Sequence, residues 1–213
     1  MAKGLRALMV VAAAGWASAA CLTKETSNHV YLDPDGALTW SILHRNVSSD
    51  DNGREALDYL SAALRDDHGV TRAFRKLEPL EVSTTVLRAE RPYSVLAEAR
   101  FAGIDFVGQR ILDLAQTRGT STLRRNGDGS VTWMLVVDDI ESDNDGLFDT
   151  LNDIDDLFDT FTIVLTEGRF LAAQGFKIAA DEATILDDDE SDESAEHKEG
   201  EPIVISLTWT TRD

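Results

Sequence analysis

The stretch VYLDPDGALTWSIL, residues 30–43, sets a turn sequence between two runs in which apolar and polar residues alternate. Pro34 fixes one backbone dihedral of the turn, and Gly36 supplies the positive φ that most residues avoid. Alternation with a period of two is typical of strands that bury one face. The stretch therefore predicts a β-hairpin, and with it a sheet built on antiparallel strands.

The same pattern returns in two other places. Residues 122–137 carry Asn126-Gly127-Asp128-Gly129 between two strand-like runs, and DGSVTW at 128–133 matches DGALTW at 35–40. The tetrapeptide SLTW at 206–209 repeats the end of the motif in the last strand-like run. In a strand, the aliphatic residue and the tryptophan of this motif lie on one face. We expect three amphipathic strands with aromatic anchors in one sheet, and a sugar or lipid platform built from the three rings is the alternative.

The remaining periodicity completes a prediction of fold class. Apolar residues at helical spacing mark residues 54–67, 104–115 and 147–161. In the first of these, Leu57, Leu60 and Leu64 form the apolar stripe. Strand-like alternation covers residues 81–90, 93–101, 170–185 and 202–211, and Phe161 is either the last residue of the third helix or the first residue of a strand over 161–165. We predict a single α+β domain over residues 29–213, with a mostly antiparallel sheet of about six to eight strands and about three helices packed on it.

The amino terminus has the layout of a secretory signal. Lys3 and Arg6 precede an apolar run at residues 8–14, and small residues at 17–20 follow it. The apolar run is too short for a permanent membrane span. Residues 1–20 are therefore predicted to be a signal peptide that is removed on export.

The stretch Ser18-Ala19-Ala20-Cys21 resembles the lipobox of bacterial lipoproteins, although that family usually has an aliphatic residue where Ser18 stands. The resemblance implies that diacylglycerol on Cys21 holds the mature protein on the cell-envelope membrane, and Leu22 after the cysteine slightly favours the outer membrane. A lone cysteine in an exported chain also calls for such a role. Residues 21–28 are then a lipidated terminus and short tether. The alternative is cleavage by the ordinary signal peptidase, which leaves Cys21 a free thiol.

The charge of the chain is segregated. Of a formal net charge of -19, residues 138–159 contribute 10 acids and no base, and residues 187–201 contribute 9 acids against one lysine. Such a charge repels phosphates, so we expect no nucleic-acid partner. The stretch 187–201 has too little apolar surface to offset its ordering entropy, so we predict an acidic disordered loop there.

A partial calcium-loop pattern lies in the first acidic segment. Glu141, Asp143, Asp145 and Asp149 place carboxylates at intervals that suit a hard cation, but Asn152 stands where an EF-hand has its closing glutamate. These four acids are weak metal candidates. The alternative is that acids of this segment cap the helix predicted at 147–161 through its dipole.

No catalytic motif appears, and the four histidines lack paired metal-ligand spacing, so we predict a protein without catalytic activity or cofactor. The first hypothesis is a binding module for a hydrophobic small molecule, in which the helix at 147–161 covers a cavity behind Leu151, Ile154 and Phe158. The second is an acidic protein that associates with a basic envelope protein and has a filled core. Binding of divalent cations is a weaker third hypothesis.

Overall fold

The computed structural model describes residues 22–138, 161–186 and 202–210. These residues form eleven strands and three helices, and the fold is α+β. In chain order the elements are β1 (Leu22–Leu32), β2 (Leu38–Ser49), α1 (Arg54–Ala63), α2 (Gly69–Lys76), β3 (Glu81–Arg88), β4 (Tyr93–Phe101), α3 (Ile104–Leu114), β5 (Gly119–Arg125), β6 (Val131–Val137), β7 (Phe161–Leu165), β8 (Arg169–Gln174), β9 (Lys177–Ile178), β10 (Thr184–Leu186) and β11 (Ile203–Thr210).

The hairpin predicted at residues 30–43 is confirmed. β1 and β2 pair antiparallel, with Val30 opposite Trp40. The Asp33 N–H donates to the Ala37 carbonyl at 2.8 Å, and the Gly36 N–H donates to the Asp33 carbonyl at 2.9 Å. Gly36 has φ 97°, which is the conformation that the turn requires of it. The second predicted hairpin is also present as β5 and β6.

The strands form two sheets where the sequence predicted one. The larger has the order β3-β4-β2-β1-β7-β10-β9, and the smaller has the order β5-β6-β11-β8. Among the described pairs, β1 and β7 run parallel and all others are antiparallel. The mostly antiparallel character is therefore confirmed.

The three repeated tryptophans do not share a sheet, so that prediction is wrong. Trp40 lies in the larger sheet, whereas Trp133 and Trp209 lie in the smaller one. All three are buried and belong to one hydrophobic cluster that both sheets contribute to. Alternation along a strand determines which face is buried but not which sheet the strand joins. Each tryptophan instead anchors its own sheet to the shared core.

Two of the helices differ from the sequence prediction. α1 buries Ala56, Leu60 and Ala63, while Leu57 and Leu64 are 46% and 69% exposed. Of the predicted stripe, therefore, Leu60 alone packs in the core, and the small residues Ala56 and Ala63 supply the rest of the buried face of α1. α2 was not predicted, since its eight residues are too few to show a clear period. It buries Phe74, whose ring centroid lies 5.8 Å from that of Trp40.

The first strand begins at Leu22, earlier than the predicted start at residue 29. Leu22 lies opposite Ser49, and Leu22 also packs on the cluster formed by α1 and its neighbouring strands. Residues 22–28 are therefore part of the sheet, and their assignment to a tether is corrected. The start of this strand was missed because the exposed Thr23 and Glu25 alternate with residues that are only partly buried. Such a polar pattern does not stand out in the sequence.

Several predictions lie outside the described residues. They include the signal peptide at 1–20, Cys21, the loop at 187–201 and most of the helix at 147–161. Phe161 is the first residue of β7, which confirms the alternative prediction of a strand over 161–165. No helix among the described residues has both the length and the apolar character that a membrane span needs.

Asp51 precedes α1, and its carboxylate accepts hydrogen bonds from Ser49 and from the first turn of the helix. The Ser49 hydroxyl donates to Asp51 Oδ1 at 2.6 Å, and the Glu55 N–H donates to Oδ2 at 3.1 Å. These bonds stabilise the charged form, the Ser49 bond most strongly, and hold the pKa of Asp51 below the ordinary 3.8. Because the folded pKa is the lower one, the stabilisation is present above pH 3.8 and is lost as the pH falls through the folded value.

We predict that Asp51→Asn lowers the free energy of unfolding more at pH 7 than near pH 3, because the wild type loses the same charge-assisted bonds in acid. Urea unfolding at both values measures this difference. The matched control is Asp58→Asn, an exposed acid of α1 whose substitution removes the same formal charge. An equal loss of stability at both pH values in Asp51→Asn would contradict the prediction.

Candidate ligand-binding cavity

An apolar cavity of about 350 Å³ lies between the two sheets and α3. Protein interiors contain few voids larger than a water molecule, which occupies about 30 Å³ in the liquid, so this space exceeds a packing defect. Every described residue around it is apolar or glycine. The lining consists of Val30, Leu38, Trp40, Ile104, Val107, Gly108, Ile111, Trp133, Leu135, Ile163, Gly175, Phe176 and Ile205.

The lining divides into a buried floor and a more exposed mouth. Eight of the residues are buried: Val30, Leu38, Trp40, Ile104, Val107, Gly108, Trp133 and Ile163. The side chains of Ile111, Leu135, Phe176 and Ile205 are partly exposed, and Gly175 is exposed. These five residues define the mouth. Among the described residues, the cavity is therefore closed by the core on one side and bordered by partly exposed residues on the other.

Two of the repeated tryptophans line the cavity from opposite sheets, with their polar atoms satisfied elsewhere. The Trp40 Nε1–H donates to Asn28 Oδ1 at 2.6 Å, and the Trp133 Nε1–H donates to Ser121 Oγ at 2.9 Å. Neither acceptor is among the lining residues. The indoles consequently offer the cavity their carbon surface, which suits an apolar guest.

α3 forms one wall because its sequence brings three aliphatic side chains, Ile104, Val107 and Ile111, to one side. Gly108 permits close packing of the helix on β5 and β6. A Cβ atom on Gly108 would lie 2.4 Å from Ser121 Oγ and 3.4 Å from Trp133 Cζ2. The Ser121 N–H donates to the Gln109 side-chain oxygen at 3.2 Å, which attaches α3 to β5.

The sequence predicted a cavity behind Leu151, Ile154 and Phe158, and those residues lie outside the described part of the chain. The cavity that the structure contains has α3 as its helical wall instead. Two sequence signals, the apolar stripe of α3 and the repeated tryptophan motif, contribute residues to its lining, although neither was used to predict a cavity. Neither signal separates a side chain that faces a cavity from one that faces a filled core.

The other candidate site residues also fall outside the described ranges: Cys21, Glu141, Asp143, Asp145 and Asp149. Across residues 22–138, 161–186 and 202–210, no group of three or more His, Cys, Asp or Glu is placed to hold a metal ion.

Two histidines form a separate buried cluster in the core under α1 and α2. His44 and His68 are 1% and 3% exposed, and each packs against the ring of Tyr59, with centroids 5.8 and 5.6 Å apart. His44 Nδ1 shares a hydrogen bond of 2.5 Å with the Tyr59 hydroxyl. Neither histidine lines the cavity, so both belong to the packing of this core.

Comparison of the chain with protein-family models, with curated proteins and with solved structures finds no match in any of the three.

We predict that Asn28→Ala lowers the free energy of unfolding by about 1–3 kcal/mol, because it removes the acceptor of the buried Trp40 N–H. Urea unfolding followed by tryptophan fluorescence measures the loss. Ser27→Ala is the matched control, since Ser27 is the adjacent residue of β1 and points to the opposite face. If both variants lower the free energy of unfolding equally, the hydrogen bond between Trp40 and Asn28 does not make the predicted contribution to stability.

Proposed function

We propose that the protein is an exported lipoprotein, anchored to the bacterial cell-envelope membrane by lipid on Cys21, whose domain binds a hydrophobic small molecule without catalysis. The observation that carries the binding function is the apolar, open-mouthed cavity between the two sheets. The resemblance to a lipobox at residues 18–21 supports the anchor.

The size and lining of the cavity favour a hydrocarbon ligand. A volume of about 350 Å³ accommodates roughly ten methylene-sized groups if each fills about as much space as a water molecule. It lies at the small end of the range of about 300–1,000 Å³ that ligand pockets occupy. Burial of apolar surface contributes about 25 cal/mol per Å², so a single alkyl chain or a small ring system gains affinity here without any polar contact.

The matched pair Leu135→Trp and Met134→Trp tests the binding site. Leu135 lines the mouth, whereas Met134 is its neighbour on β6, is 39% exposed and points to the opposite face. We predict that Leu135→Trp weakens binding of the neutral dye N-phenyl-1-naphthylamine by about tenfold or more, which corresponds to roughly 1.4 kcal/mol. Met134→Trp is expected to bind the dye like the wild type, and fluorescence titration measures both.

Ile111→Trp fills the same mouth from α3 and serves as a second variant if Leu135→Trp is poorly folded. Near-UV circular dichroism checks folding in each case. A native mass spectrum of the detergent-free wild type shows whether a hydrophobic molecule co-purifies. Failure of the folded wild-type protein to bind the dye would sink the binding proposal.

The anchor is tested separately in the full chain expressed in bacteria. We predict that the wild type incorporates radiolabelled palmitate and sediments with the envelope membranes, and that Cys21→Ser loses both properties because the thioether linkage cannot form. Fractionation with immunoblotting and autoradiography measures the two outcomes. Retention of Cys21→Ser in the membrane fraction, or an unlabelled wild type, would contradict lipid attachment at Cys21.

Two alternatives make different predictions in the same assays. An acidic protein that functions by association with a basic envelope protein shows salt-sensitive complex formation and no specific dye binding. A divalent-cation protein shows a stoichiometric calcium adduct in the native mass spectrum, assigned to Glu141, Asp143, Asp145 and Asp149 if substitution there removes it.

A further inference from the structure

The first strand of the larger sheet begins at the residue that follows the proposed lipid site. Leu22 lies opposite Ser49 of β2 and packs against the apolar cluster under α1. The hydroxyls of Thr23 and Ser48 share a hydrogen bond of 2.8 Å. Strand pairing, a side-chain hydrogen bond and apolar packing therefore all hold the start of β1 to the domain.

This start of β1 determines how far the domain can lie from a lipid on Cys21. The sequence predicted a tether over residues 21–28, and eight extended residues reach about 26 Å. Because Leu22 is already part of the sheet, Cys21 is the one residue left between the sheet and the lipid. Neighbouring Cα atoms of a chain are about 3.8 Å apart. A lipid at this position therefore holds the Leu22 end of the sheet, and not a distant linker, at the headgroups.

Three more strands of the larger sheet have an end on the same side as Leu22. The sheet order is β3-β4-β2-β1 across this part. Tyr93, which begins β4, lies opposite Val47 near the end of β2, and Arg88, which ends β3, lies opposite Ser94. Neighbouring strands are about 4.8 Å apart, so the end of β3 lies roughly 14 Å across the sheet from the start of β1.

The two loops at this side of the sheet are joined to each other. The Arg91 guanidinium, between β3 and β4, donates to the carbonyls of Asn52 and Gly53 at 2.7 and 3.0 Å. The loop before α1 and the turn between β3 and β4 are thereby held together. We name this side of the domain the anchor end and define it as residues 22–25, 45–54 and 87–92.

The anchor end differs in charge from the chain as a whole. It contains five bases and four acids, a net charge of +1, whereas the whole chain has -19. The bases are Lys24, Arg45, Arg54, Arg88 and Arg91, and the acids are Glu25, Asp50, Asp51 and Glu90. Anionic headgroups attract basic residues near the surface and repel a strongly acidic protein. The anchor end can therefore approach such a surface without the repulsion that the net charge of the chain would cause.

The anchor end also exposes a large apolar side chain. Leu87 is 55% exposed next to Arg88, at the end of β3. An exposed leucine beside a basic residue suits the boundary between headgroups and acyl chains, where apolar surface is buried while the charge stays among the headgroups.

We propose that the anchor end is a membrane-docking surface, on which the lipid-anchored domain rests with Leu87 and Arg88 against the headgroups. This inference rests on the proposed lipid at Cys21 and adds the orientation of the domain to it. The turn at residues 33–36 lies beyond Leu32, at the other end of β1. Ten residues of strand span about 33 Å, so the docked domain holds the cavity floor beside that turn away from the bilayer.

Fluorophores on single introduced cysteines test the orientation, because lipidation leaves the one native cysteine, Cys21, without a free thiol. Leu87→Cys and Glu81→Cys are a matched pair, since both positions are exposed on β3 and lie six residues, about 20 Å, apart. Each full-length lipidated protein is reconstituted in vesicles of phosphatidylcholine and phosphatidylglycerol that contain a headgroup nitroxide. We expect the nitroxide to quench the label at position 87 several-fold more than the label at position 81.

A matched pair of double variants separates docking from simple tethering. Arg54→Glu with Arg88→Glu reverses two exposed charges of the anchor end, and Arg124→Glu with Arg125→Glu reverses two exposed charges of β5. Both pairs change the net charge equally. We expect the anchor-end pair to reduce quenching of the label at position 87 and the β5 pair to leave it unchanged. Unchanged quenching in both would mean that the lipid alone keeps position 87 near the membrane, which overturns the docking surface.

Near-UV circular dichroism checks that each variant is folded, and Ala89→Cys, at another exposed position of the anchor end, replaces Leu87→Cys if that variant is not. Equal quenching of the two labels on vesicle-bound protein overturns the orientation while leaving the lipid anchor in place. Disulfide dimers of unlabelled Leu87→Cys, together with an unquenched label, would show that a second copy covers this end and would also overturn the proposal. If the wild type incorporates no palmitate, the proposed anchor fails, and the docking surface fails with it.

Discussion

The turn at residues 33–36 is the constraint on which the rest of the structure depends. Its carbonyls accept hydrogen bonds from two distant elements. The Trp209 Nε1–H of the smaller sheet donates to Pro34 O at 3.1 Å, and the first N–H of α3, from Ile104, donates to Gly36 O at 2.8 Å. The Thr166 hydroxyl, just after β7, donates to Asp33 Oδ1 at 2.7 Å. A single local turn thereby fixes the larger sheet, the smaller sheet and α3 relative to one another.

This arrangement explains why the cavity is closed at one end and open at the other. Leu38 and Ile104, which adjoin the turn, are both buried and belong to the floor. Leu135 and Ile205, which are partly exposed, lie opposite each other four residues along β6 and β11 from the pair Val131 and Trp209, and Trp209 is the residue that contacts the turn. A ligand that binds only the folded domain raises its free energy of unfolding by mass action, so the proposed binding function would also stabilise the fold.

The elements that could be predicted from the sequence are those set by local chemistry. Both hairpins follow from their Asp-Gly turns, and α3 from its stripe of Ile104, Val107 and Ile111. The buried face of α1 could be predicted only at Leu60, because Ala56 and Ala63 contribute little hydrophobicity beside Leu57 and Leu64. The division into two sheets depends on pairing between distant strands, such as β6 with β11, which no local pattern encodes. The cavity could not be predicted either, because it lies where α3 and the two sheets do not pack fully against one another.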